Sequence, residues 1–97
     1  MKAYELLFFV DPAIEEDAHE ALLARINSII TDQGGVIDST EPWGKRKLAY
    51  EIDKLQDGDY TLINFHAEPT SIAELDRVLR ITDAVVRFMV VRKDQTE

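Results

Sequence analysis

The sequence predicts an α+β protein of the ferredoxin-like type: four strands and two helices in the order βαββαβ, both helices covering one face of an antiparallel sheet. Three observations carry this prediction. Short runs of branched and aromatic residues alternate with two segments of helical spacing, and proline, glycine and aspartate punctuate the boundaries. Apolar residues make up 45% of 97 positions, enough for one modest core, so a single domain over residues 1–93 with a short tail at 94–97 is expected.

Lys2 to Val10, KAYELLFFV, is rich in strand formers and is stopped by Asp11-Pro12, which predicts the first strand. From Glu15 onward Ala18, Leu22, Ile26, Ile29 and Ile30 recur at helical spacing. Glu15, Glu16 and Asp17 fall where the helix dipole favours negative charge, and Gly34-Gly35 supplies the stop. Val36 to Thr40 and Lys45 to Asp53 then predict a long strand interrupted by Glu41-Pro42-Trp43-Gly44. Proline cannot donate to a ladder, so this strand belongs at an edge. Asp57-Gly58 is the expected turn and Tyr60 to Ala67 the return strand. Ser71 and Glu74 form an expected capping box, with Ile72, Leu75, Val78 and Leu79 on the face that follows. Thr82-Asp83 closes that helix, and Ala84 to Lys93 predicts the fourth strand.

Right-handed crossovers place the first strand and the Tyr60 strand at the centre of the sheet. Period-two alternation directs Tyr4, Leu6, Phe8 and Val10 to the helices, with Thr61, Ile63, Phe65, Phe88 and Val90. Leu7, Phe9, Tyr60, Leu62, Asn64, Arg87, Met89 and Val91 are left on the open face. A surface so apolar calls for a cover.

With no cysteine, disulfides, thiolate metal sites and a cysteine nucleophile are excluded. No apolar run reaches the length of a membrane span and no secretory signal is recognisable, so a soluble, cytoplasmic protein is expected. Neither His19 nor His66 has neighbours at metal-ligand spacing. Phosphate-binding glycine loops and nucleophile elbows are missing, and paired acids such as Glu15-Glu16 and Asp57/Asp59 belong to a helix start and a turn. No catalytic residue, metal or cofactor is expected.

The formal charge of -8, from 19 acidic and 11 basic side chains, argues against nucleic-acid binding by the chain alone, because phosphate neutralisation dominates that affinity. The charges are segregated, however. Acids crowd 11–20, whereas Lys45, Arg46 and Lys47 are consecutive and Arg77, Arg80, Arg87, Arg92 and Lys93 fall in the last quarter. Strand geometry splays Lys45 and Lys47 to one side and Arg46 to the other, an arrangement suited to phosphates and equally to a solvated edge that discourages aggregation. Trp43 beside Gly44 suits stacking on a base or a partner, or folding over its own hairpin.

The run Trp43-Gly44-Lys45-Arg46-Lys47-Leu48-Ala49-Tyr50 and the fourth-strand segment Arg87-Phe88-Met89-Val90-Val91 resemble the hallmarks of the bacterial small-subunit ribosomal protein S six family. Tyr4-Glu5, the Asp11-Pro12 stop and Thr82-Asp83 extend the resemblance over nearly the whole chain. Glu51 departs from it, since the family usually has proline after the hallmark tyrosine, and the long acidic tail that some members carry is not expected here.

The resemblance implies a non-catalytic constituent of the small ribosomal subunit. Such a protein binds 16S-type rRNA in the central domain, or platform, cooperatively with the basic ribosomal protein S eighteen. In that role Lys2, Lys45, Arg46, Lys47, Arg80, Arg87 and Arg92 are the expected rRNA contacts, and Leu7, Phe9, Trp43, Tyr60, Leu62, Met89 and Val91 the expected partner-protein surface. A different class of function on the same scaffold is a small-molecule-binding regulatory domain that homodimerises through its sheet. That reading leaves the Lys-Arg-Lys run unexplained. A phosphatase-like enzyme needs an arginine-bearing loop after the first strand, where Asp11-Pro12-Ala13-Ile14 has none.

Overall fold

The computed structural model describes residues 1–93; the tail expected at 94–97 lies outside the described residues. Strand β1 (Lys2–Val10), helix α1 (Glu16–Asp32), strands β2 (Val36–Ile52) and β3 (Leu55–Ala67), helix α2 (Pro69–Arg80) and strand β4 (Arg87–Arg92) follow the expected order. The sheet is antiparallel with strand order β2-β3-β1-β4. The two central strands are therefore the expected pair, and both β2 and β4 are edges.

The core lies between the sheet and the helices. Leu6, Phe8, Val10, Ile63 and Phe65 are buried on the sheet side and Leu22, Ile26, Ile30, Leu75 and Leu79 on the helix side. Phe88 and Val90 pack against this cluster from β4, as alternation requires. Ala18 is exposed, so the buried face of α1 begins one turn later than its spacing suggested.

Four boundaries differ from the sequence reading. Strand β2 is not broken at 41–44. It runs through with a bulge that skips Trp43, the pairing passing from Pro42 opposite Thr61 to Gly44 opposite Tyr60. The β2–β3 turn is Asp53-Lys54, both at positive φ (50° and 67°), rather than Asp57-Gly58. Gly58 instead lies within β3, where a Cβ would come within 2.6 Å of the Phe9 ring. Glycine is required there for close approach and not for a turn.

The expected capping box also fails. Helix α2 begins earlier, with Glu68 as N-cap and Pro69 in the first turn, where proline's missing N–H costs nothing. Ser71 is inside the helix, donating from its hydroxyl to the Glu68 carbonyl at 2.8 Å, and Glu74 pairs with Arg77. Finally, Ala84 to Val86 form no part of β4, which starts at Arg87; Val86 N–H still donates to the Phe9 carbonyl at 3.0 Å.

Candidate RNA and partner surface

The open face is organised as rows running across the strands, because residues paired in an antiparallel ladder point to the same side. The first row is Gly44, Tyr60, Phe9 and Arg87; the second is Glu41, Leu62, Leu7 and Met89; the third is Ser39, Asn64, Glu5 and Val91. The third row is polar toward β2. Asn64 donates to Ser39 Oγ at 2.9 Å and to Glu41 Oε2 at 3.3 Å, and accepts from Lys93 Nζ at 3.0 Å.

Toward β4 the same face is apolar and uncovered. Met89 is 55% and Val91 42% exposed, and Leu7, Leu62 and Tyr60 beside them are half-buried. A depression of about 220 Å³ opens between Leu7, Phe9, Tyr60, Arg87 and Met89. Phe9 requires a correction: it is only 4% exposed, its ring pressed between the Gly58 backbone and the Tyr60 ring 5.0 Å away. It supports the face from below and offers little area to a partner. Alternation identified the correct side, but not the glycine that lets the ring sink.

The seven candidate cations do not form one patch. Lys2 and Arg92 lie on helix-facing positions at one end of the sheet, by their pairing with Ala67 and Tyr4. Arg46 and Arg87 lie on open-face positions toward the other end, at opposite edges of the sheet, three strand spacings of about 4.8 Å apart. Lys45 and Lys47 pair opposite Asp59 and Asp57 on the other side of β2 from Arg46. Arg80 closes α2 and lines, with Arg87 and Arg92, a groove of about 890 Å³ between that helix and the β4 edge.

Their electrostatic situations also differ. Arg80 Nε lies 2.6 Å from Asp76 Oδ2, and Arg87 lies 3.7 Å from Asp53 where the β2–β3 turn reaches back to the start of β4. Asp53 is the partner that an arginine among apolar residues calls for. Among the described residues, Lys45, Arg46 and Lys47 make no ion pair although Asp57 and Asp59 stand opposite in register. The guanidinium of Arg46 instead lies 5.5 Å from the Trp43 ring centroid, with Nε donating to the Trp43 carbonyl at 3.4 Å. Trp43 in turn stacks on Tyr60, centroids 6.5 Å apart.

The Arg77 guanidinium, hydrogen-bonded to Glu74 at 2.7 Å, holds that carboxyl below its ordinary range, and Glu74 raises Arg77 in return. His66 Nδ1 lies 2.6 Å from Asp38 Oδ2, an exposed pair which the sequence reading did not join; their spacing of 28 positions gives no local signal. Among the described residues no cluster of His, Cys, Asp or Glu is arranged to hold a metal ion, and no helix is long and apolar enough to cross a membrane.

Comparison with known proteins agrees with the hallmark residues. The sequence profile of the family described as Ribosomal protein S6 matches residues 3–92. A "Small ribosomal subunit protein bS6" from Clostridium novyi is 47% identical over 95 residues, covering 98% of this chain and 100% of the relative. One from Exiguobacterium is 43% identical over 95 residues with the same coverage. The crystal structure of 30S ribosomal protein S6 from Thermotoga maritima superposes with a TM-score of 0.89 at 36% identity, covering 95% of this chain and 87% of that one. On sequence over nearly its whole length and on fold, the chain belongs to the ribosomal protein S6 family, a structural component of the small ribosomal subunit and not an enzyme.

Proposed function

We propose that this chain binds 16S-type rRNA in the central domain of the small subunit, cooperatively with the basic partner ribosomal protein S eighteen. One observation carries the reading: an acidic protein of net charge -8 leaves an apolar stripe uncovered toward β4 and, on the opposite edge strand β2, basic side chains that among the described residues take no carboxylate of their own. A basic protein seated on the stripe offsets the acidic field, and the joint surface then attracts phosphate where the chain alone repels it. Leu7, Leu62, Met89 and Val91 supply the seat. Residues 1–93 act as one domain in this role.

Among the cations assigned to RNA, Lys45, Arg46 and Lys47 rank first, because a new phosphate contact there breaks no existing ion pair. Arg80 and Arg87 must exchange Asp76 and Asp53 for phosphate, and Lys2 and Arg92 flank the far end of the sheet. The test is the salt dependence of RNA binding by the partnered chain. Each of Arg46→Ala and Lys47→Ala should lower the slope by about one. Unchanged slopes for both would overturn the assignment.

A further inference from the structure

Two aromatic rings and two cations, far apart in role by sequence, converge at the bulge of β2. Trp43, Arg46, Lys47 and Tyr60 together line an open depression of about 300 Å³ at the outer edge of the sheet. We propose that this depression seats a single unpaired RNA nucleotide, its base stacked against Trp43 and its phosphate held by Arg46. The proposal rests on the RNA-binding reading above and moves Trp43 and Tyr60 from the partner's surface to the RNA.

The bulge is what builds the site. Trp43 is the residue that the ladder skips, and the Gly44 that follows has φ of +80° and open space where a Cβ would stand. The ring is consequently set off from the strand and left 41% exposed rather than folded into the core. It is nonetheless held in place, by Tyr60 stacked beside it and Arg46 over it, while Phe9 buttresses Tyr60 at 5.0 Å. A platform fixed in this way loses little freedom when a third planar group is added.

The chemistry selects the occupant. Stacking rings bordered by cations match a ligand with both a π face and a negative charge, which a nucleotide has and a basic protein has not. A basic side chain arriving here meets Arg46 and Lys47, which among the described residues have no carboxylate to neutralise them. Bases inside a duplex keep their faces stacked on one another, so the occupant is a nucleotide from a loop, bulge or junction.

Trp43 is the only tryptophan of the chain, so its emission reports the site directly. The experiment titrates the full chain, in complex with its basic partner, with a short single-stranded oligoadenylate and with an abasic strand of equal charge. The signal is read as the difference from a Trp43→Phe complex. The oligoadenylate should quench Trp43 and the abasic strand should not. Trp43→Ala should weaken oligoadenylate binding by about 5- to 150-fold, with Trp43→Phe recovering part of the loss. Equal affinity of wild type and Trp43→Ala, with Trp43 silent while salt-dependent binding persists, would overturn the nucleotide seat and leave the RNA reading standing. Burial of Trp43 by the partner alone, with no further change on adding RNA, would overturn it in favour of a protein contact. Failure of the complex to bind any RNA would remove the reading on which the proposal rests.

Discussion

Converting the uncovered stripe on β4 to a polar one tests the partner surface without touching the core. Met89 is 55% and Val91 42% exposed, so about half of each side chain remains to be buried by a partner. Full burial of such a side chain contributes about 1.5–3 kcal/mol, which leaves roughly 0.6–1.6 kcal/mol for each residue here. Threonine keeps the strand propensity and one methyl group, so the double variant Met89→Thr/Val91→Thr should lose about 1–2 kcal/mol of binding. That corresponds to a roughly 5- to 30-fold weaker complex in a calorimetric titration with the basic partner. Both side chains point away from the core, so stability in urea should change by no more than about 0.5 kcal/mol. An unchanged Kd with an intact fold would show that the partner does not sit on this face.

Three further outcomes probe how the fold supports that surface. Gly58→Ala drives a Cβ into the Phe9 ring and should cost about 1–2 kcal/mol by urea unfolding, after allowing for alanine's better backbone entropy. Pairing it with Phe9→Leu should recover part of that cost, whereas a turn glycine would show no such rescue. Thr61, 1% exposed with its Oγ1 unpartnered, should tolerate valine with a stability change between zero and a gain of about 1 kcal/mol; a clear loss would reveal a hydrogen bond at that hydroxyl. Glu74→Gln should lower the urea midpoint at neutral pH. The folded Glu74 carboxyl titrates below its unfolded value, so its stabilising contribution is present above the unfolded pKa and is lost as pH falls through the folded one. The difference between variant and wild type should therefore vanish in acid, and a difference that persists there would assign Glu74 some other role.

What the sequence made legible was whatever short-range pattern determines. Alternation in KAYELLFFV and in RFMVV separated helix-facing from open-face residues, and the proline at 42 marked an edge strand. The errors came where a local signal served a distant contact. Asp57-Gly58 has the composition of a turn, yet Gly58 is small because Phe9 lies against it from another strand. Ser71 and Glu74 have the spacing of a capping box, yet Pro69 had already started the helix and Arg77 had claimed the glutamate. The candidate site divides in the same way. The hallmark around Trp43 to Tyr50 identified the family, but its meeting with Tyr60 depends on a bulge in one strand and the register of the next.

The proposed role requires an acidic chain to bind RNA by virtue of a basic partner. Binding of a central-domain rRNA fragment, measured with and without ribosomal protein S eighteen across a salt titration, tests it most directly. The chain alone should bind weakly and the pair much more tightly, with an affinity that falls steeply as salt rises. Tight, salt-insensitive binding by the isolated chain would contradict it.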